Sequence, residues 1–155
     1  MEKVSVDVLN EAAAQVDEAE LMAMGRFVME ALGVHLGADL VISLVDPPTM
    51  AELHQRFLDE PGPTDVMSFP MDELRPGSAD QDAPPGILGD VVICPEVAAK
   101  QAKALGHSTA EEILALEVHG ILHLLGFEHT DPVERQQMFQ MQRKLVLAFL
   151  ASRPS

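Results

Sequence analysis

The chain has 155 residues, of which 47% are hydrophobic and 23% are charged, and it carries 10 Lys and Arg against 25 Asp and Glu. The composition excludes a disordered or coiled-coil chain, and the length favours one domain spanning residues 1–155. The formal charge of −15 argues against a broad electrostatic surface for nucleic acid, so a polyanionic substrate would have to be held locally, by a metal or a few placed cations.

Strand-like and helix-like patterns interleave along the whole chain. Short runs of alternating or continuous apolar residues predict strands, and helical spacing with capping residues predicts helices. In chain order the predicted elements are a strand at Val4–Leu9, a helix at Asp17–Leu32, a strand at Ala38–Val45, a helix from Asp46 to about Leu58, strands at Asp65–Pro70 and Ile87–Cys94, and helices from Pro95 to near Gly106, at Thr109–Leu125 and from Asp131 onward. Residues 72–86 predict an exposed acidic loop. We therefore expect an α/β (α+β) fold, with a single mixed sheet of about four strands covered by about five helices.

The single cysteine, Cys94, excludes an intrachain disulfide and indicates a reducing, cytoplasmic setting. The N-terminal residues lack the pattern of a signal peptide, and the longest apolar runs are far too short to cross a bilayer. We expect a cytoplasmic protein that makes no use of a membrane. Cys94 itself is expected to be a small buried residue.

The strongest chemical signal is a group of three histidines near the C-terminal end. His119 and His123 are four residues apart on a predicted helix, so their imidazoles project from one face. Gly126 lets the backbone leave that helix, and a reversal there would bring His129 back toward the other two. Three convergent nitrogens without a fourth protein ligand describe an open metal site, for which one zinc ion per chain is the favoured occupant.

The histidine spacing matches that of the metzincin proteases, except that their general-base glutamate is replaced by Gly120. Peptide hydrolysis by that route is therefore disfavoured, whereas metal binding is not. The alternative is that these histidines are ordinary core residues bonded to the backbone. Because the predicted helix is apolar nearly all round, two unpartnered imidazoles on one face would be costly unless they bind something, and we favour the metal.

The remaining candidates carry weaker signals. Arg56, near the end of its helix, is either a surface charge or a phosphate clamp and catalytic residue. Glu128 is a candidate catalytic or ligand-orienting residue, and Asp131 either orients a ligand or only caps a helix. His54 and His107 have no matching partners and are expected to be ordinary surface or hydrogen-bonded histidines.

Three motifs resemble those of the YbeY-type rRNA maturation factors, which are single-strand-specific metallo-endoribonucleases. They are the sequence from His119 through Gly126 to His129, the segment Pro63–Pro70, and the segment Leu88–Ile93. The motifs occur in family order, so the resemblance covers nearly the whole chain. It implies zinc held by His119, His123 and His129, an rRNA precursor and the small ribosomal subunit or its proteins as partners, and a role in 16S rRNA 3′-end maturation and ribosome quality control.

One position departs from the family pattern. Family members commonly place an arginine directly after the aromatic residue that ends the second helix, and that position is Leu58 here. Residues two apart on a helix face nearly opposite ways, so Arg56 could replace that arginine only if the helix were frayed there.

We therefore expect zinc-assisted cleavage of RNA phosphodiesters, with the proton transferred by zinc-bound hydroxide, by Glu128 or by the substrate's own 2′-OH. The cations expected near the cleft are Lys100, Lys103, Arg135 and Arg56. Two alternatives remain at this point. One is a metallohydrolase for peptides or small molecules, with Glu117 or Asp65 beside the metal. The other is a non-enzymatic ribosome assembly factor whose zinc only joins two helices.

Overall fold

The computed structural model describes residues 5–34, 38–71, 87–127 and 131–152. The elements are, in order, β1 (Ser5–Asn10), α1 (Glu18–Ala31), β2 (Asp39–Leu44), α2 (Pro47–Leu58), β3 (Val66–Pro70), β4 (Ile87–Ile93), α3 (Pro95–Leu105), α4 (Thr109–Leu124) and α5 (Pro132–Ser152). The predicted strands and helices are therefore confirmed in type and order. The predicted acidic loop at 72–86 lies outside the described residues.

The strands form one mixed sheet in the order β1-β2-β4-β3. Strands β1, β2 and β4 are parallel, and β3 pairs antiparallel with β4. This confirms the expected α/β fold with a single four-stranded sheet and helices connecting the parallel strands.

Local capping signals set where the helices begin. The Ser108 side chain accepts a hydrogen bond from the Glu111 amide at 3.1 Å, as its capping box predicts. Asp46 and Asp131 accept equivalent bonds at the starts of α2 and α5. Asp131 is thus a helix cap, which is one of its two predicted roles.

Helix α4 lies at the centre of the molecule and contacts α1, α3, α5, β3 and β4. Ten of its residues are buried, which confirms that this almost uniformly apolar helix is covered on several sides. A large core cluster joins α4 to the sheet, α1 and α5. A smaller cluster on the other side of the sheet contains Met50 of α2, Val92 and the fully buried Cys94.

No helix within the described parts of the chain is both long enough and apolar enough to cross a membrane.

Candidate metal centre

Two imidazoles converge on the exposed side of α4. Their Nε2 atoms are 3.2 Å apart, and the rings meet edge to face at 81°. Two nitrogens that bind one tetrahedral zinc at Zn–N distances of about 2.0–2.1 Å are separated by about 3.3–3.4 Å. The positions of His119 and His123 therefore suit two adjacent ligands of one zinc ion. Both residues are half-buried, so the site is open to solvent on one side.

Helix α5 orients the first of these rings. The Gln142 Oε1 atom lies 2.9 Å from His119 Nδ1, a pair separated by 23 residues in sequence. With the amide oxygen as acceptor, Nδ1 donates its proton and the Nε2 lone pair faces His123. A hydrogen bond of this kind from the far ring nitrogen is the usual support of a metal-binding histidine.

A second residue of α5 holds the same ring from the side. The Phe139 ring stacks on the His119 imidazole, with 5.9 Å between centroids and 24° between planes. Neither Phe139 nor Gln142 was singled out from the sequence. The available signal was their spacing of three residues on one helix, but which residues of α5 meet α4 depends on how the two helices pack.

Helix α4 ends as the sequence predicts. Gly126 has a φ of +95°, and the Phe127 amide bonds back to the Leu122 carbonyl at 3.0 Å. The backbone leaves the helix three residues after His123, in a conformation that glycine adopts without strain. The predicted third ligand, His129, and the predicted acid–base residue, Glu128, lie outside the described residues. Within the described part of the chain, no three His, Cys, Asp or Glu side chains cluster as a metal site.

The missing glutamate of the metzincin pattern has a packing explanation. A Cβ atom on Gly120 would lie 2.6 Å from Val91 Cγ1 of β4, well inside contact distance. The Gly120 carbonyl also accepts a hydrogen bond from the Ser68 hydroxyl at 2.9 Å. This position of α4 faces the sheet, and the close approach leaves no room for a side chain. The same bond occupies Ser68, which lies in a strand without a nucleophile-elbow pattern.

The two carboxylates considered as replacement bases contact other parts of the molecule. Glu117 is fully buried, and an added Cβ at Gly25 of α1 would lie 3.2 Å from its Oε2 atom. It therefore faces α1, about 200° around α4 from His119. Burial, and secondarily the charge of Glu20, raises the pKa of the Glu117 carboxyl well above its ordinary value. Asp65 accepts bonds from the Val66 amide and the Gln101 side chain, at the junction of β3 and α3.

Arg56 lies exposed on the last turn of α2, with its guanidinium carbon 5.7 Å from the Phe57 ring centroid. Helix α2 stays regular through Leu58 and ends in the left-handed conformation of Asp59. The fraying that would let Arg56 substitute for an arginine at Leu58 is therefore not observed, and its catalytic role stays a prediction.

His54 and His107 make ordinary contacts, as expected. His54 contacts the Gly62 carbonyl and the Glu60 carboxylate, and His107 lies 2.9 Å from the Glu112 carboxylate.

The model of the family described as Endoribonuclease YbeY matches residues 7–150. The chain belongs to the YbeY endoribonuclease family. The Endoribonuclease YbeY of Beutenbergia cavernae is 60% identical over 150 residues, which cover 97% of this chain and all of that one. The protein of the same name from Kineococcus radiotolerans is 54% identical over 152 residues, covering 96% of this chain and 88% of its own.

A solved structure supports the fold. The solution structure of a Thermotoga maritima protein matches with a TM-score of 0.63 and 24% identity, and the match covers 94% of this chain and 89% of that one. The resemblance inferred from the three sequence motifs is thus confirmed at the level of family and fold.

Proposed function

We propose that this protein is a zinc-dependent, single-strand-specific endoribonuclease that acts in the cytoplasm on the 3′ end of the 16S rRNA precursor and in ribosome quality control. The observation that carries the metal dependence is the 3.2 Å separation of the His119 and His123 Nε2 atoms, with Gln142 bonded to the far side of His119. In this proposal His129 completes the ligand set and one side remains for the substrate.

A zinc ion held there would polarise a phosphoryl oxygen and lower the pKa of a nearby water. The chain's own contribution is orientation. Gln142 keeps the His119 proton on Nδ1, and Phe139 limits rotation of the ring. Because Gly120 has no side chain, α4 supplies no general base next to its first histidine. Proton transfer then falls to Glu128, to metal-activated water or to the 2′-OH of the substrate.

Two observations favour this proposal over the rival functions. The two carboxylates considered for a peptide hydrolase do not support it, because Glu117 faces α1 and Asp65 accepts bonds from the Val66 amide and the Gln101 side chain. A structural zinc site is normally closed by a fourth ligand, often cysteine. Cys94 belongs to the core cluster on the other side of the sheet from α4.

The charge of −15 implies weak binding of RNA by the isolated protein, because little counterion release accompanies the encounter. We infer that the small ribosomal subunit or its proteins deliver the substrate. Of the cations expected near the cleft, Arg135 lies on α5 one turn before Phe139, while Lys100 and Lys103 are exposed on α3.

The test compares wild type with His123→Ala, using His107→Ala as the matched control. Zinc content and cleavage of single-stranded and double-stranded RNA are measured for each. We expect wild type and the control to hold one zinc ion and cut single-stranded RNA, and His123→Ala to lose both properties. A His123→Ala protein that keeps its zinc and its activity would refute the proposal.

A further inference from the structure

A shallow groove runs along the exposed side of α5 beside the histidines. Its volume is about 580 Å³, and its lining residues are Pro132, Arg135, Gln136, Phe139, Gln140 and Arg143. Arg135, Phe139 and Arg143 follow each other at intervals of four residues, so they form one row along the helix. Given a rise of about 1.5 Å per residue, each arginine lies about 6 Å along the helix axis from the aromatic ring.

This row is continuous with the candidate metal centre. The Phe139 ring that stacks on His119 is itself 48% exposed. Part of the ring therefore supports the imidazole, and the rest faces the groove. A group bound on the exposed part of the Phe139 ring would be separated from His119 only by that ring.

The described lining residues of the groove carry a charge opposite to that of the whole chain. The chain carries 25 acidic residues against 10 Lys and Arg. Among the described residues that line the groove, however, two are arginines and none is a carboxylate. An exposed aromatic ring between two guanidinium groups matches a ligand that alternates a flat ring with negative charges, which is the chemistry of single-stranded nucleic acid.

We propose that a nucleotide next to the scissile phosphodiester stacks its base on Phe139, while the phosphates on either side of that nucleotide contact Arg135 and Arg143. This inference rests on the proposed ribonuclease function and adds to it the residues that position the RNA strand. It also supplies a reason for single-strand specificity, because a base that is stacked and paired in a duplex cannot lie on a protein ring.

The stacking contact is tested by removing the base and the ring separately. Steady-state cleavage is measured on single-stranded RNA and on a set of substrates, each with one abasic nucleotide at a position flanking the cleaved bond. The proteins are wild type, Phe139→Ala, Phe139→Tyr and the control Leu147→Ala, which removes another exposed apolar side chain of α5.

We expect one abasic position to lower kcat/KM of wild type and Phe139→Tyr roughly 5- to 150-fold, the range for loss of one stacked base. On intact RNA, Phe139→Ala should lose a similar factor, mainly through KM, and should be insensitive to the abasic nucleotide. A merely structural role of Phe139 in supporting His119 would lower the activity but leave the sensitivity to the missing base. That outcome, or a wild type indifferent to every abasic position, would overturn the proposal.

The phosphate contacts are tested by measuring how the affinity for single-stranded RNA depends on salt concentration. For Arg143→Ala, the slope of log affinity against log salt for single-stranded RNA should fall by about 0.7, the value for one phosphate contact. Arg26→Ala, which removes an exposed arginine of α1, should leave the slope unchanged. Equal slopes for Arg143→Ala and wild type would refute the phosphate contact.

The metal-dependent nuclease function and the stacking of a base on Phe139 can be refuted separately. If His123→Ala keeps its zinc and cleaves RNA as wild type does, the metal-dependent nuclease function fails and the stacking proposal fails with it. If His123→Ala is inactive but Phe139→Ala retains the wild-type response to the abasic substrates, only the stacking proposal fails. Tighter binding of the groove to an acidic peptide than to RNA would also contradict it.

Discussion

Gly120→Ala tests whether the close approach of α4 to the sheet limits this position to glycine. The added Cβ would lie 2.6 Å from Val91 Cγ1 and 3.0 Å from Val91 Cγ2. Carbon atoms pack best at about 3.5–4.0 Å, so the helix or the valine must move by about 1 Å. Val91 is fully buried in β4 and its β-branched side chain has few alternative rotamers. The strain can be relieved only by shifting packed atoms.

Two opposing effects determine how much Gly120→Ala changes the stability of the protein. Overpacking of a well-packed core costs about 1–3 kcal/mol. Alanine is favoured over glycine within a helix by about 1 kcal/mol, which offsets part of that cost. We expect a net loss of up to about 2 kcal/mol in the free energy of unfolding, or a decrease of up to about 8 °C in Tm for a chain of this size.

A double-mutant cycle isolates the contact itself. Val91→Ala removes the two methyl groups that the new Cβ would meet, so the double variant should be more stable than the sum of the single effects by about 1–3 kcal/mol. Val28→Ala, at another fully buried valine, serves as the control pair and should be additive with Gly120→Ala. The free energies come from urea unfolding of metal-free protein. Additivity of Gly120→Ala and Val91→Ala within about 0.5 kcal/mol would refute the reasoning.

Three further changes have defined outcomes. Because the pKa of the Glu117 carboxyl is raised by burial, the stability of wild type should fall as pH rises from the ordinary glutamate pKa toward the raised one. Glu117→Gln should lack this fall. In urea unfolding of metal-free protein, the free energy of unfolding of Glu117→Gln relative to wild type should therefore increase between pH 5 and 8. A difference that stays constant over this range would contradict the expectation. Gln142→Leu removes the acceptor of the His119 Nδ1 proton and should weaken zinc binding about 10- to 100-fold in a chelator competition. The control Gln140→Leu should bind zinc as wild type does. Equal zinc affinities of Gln142→Leu and wild type would exclude the orienting role. Ser108→Ala removes the cap of α4 and should lower the free energy of unfolding in urea by about 1 kcal/mol, whereas Ser108→Gly should lower it by only about a few tenths. Equal losses of stability in the two variants would point to a cause other than the capping bond.

Local rules accounted for most of the fold. The helices and strands follow from apolar periodicity, and their starts from side chains such as Asp46 and Ser108 that bond to amides three residues ahead. The pairing of His119 with His123 is equally local, because a spacing of four on any α-helix brings two side chains to one face. Gly126 could likewise be recognised as the end of α4, since its positive φ depends only on the backbone there.

The surroundings of the site could not be predicted in this way. Gln142 and Phe139 reach His119 across 20 or more residues of sequence, and their contact depends on how α5 packs against α4. Packing also explains why Glu117 faces α1 and why Gly120 has no side chain. The amino-acid sequence by itself determined which residues share a helix face, because the helical repeat is a property of the backbone. Only the tertiary structure decided what each face meets, because side-chain packing between distant segments depends on the shape of every element in the core.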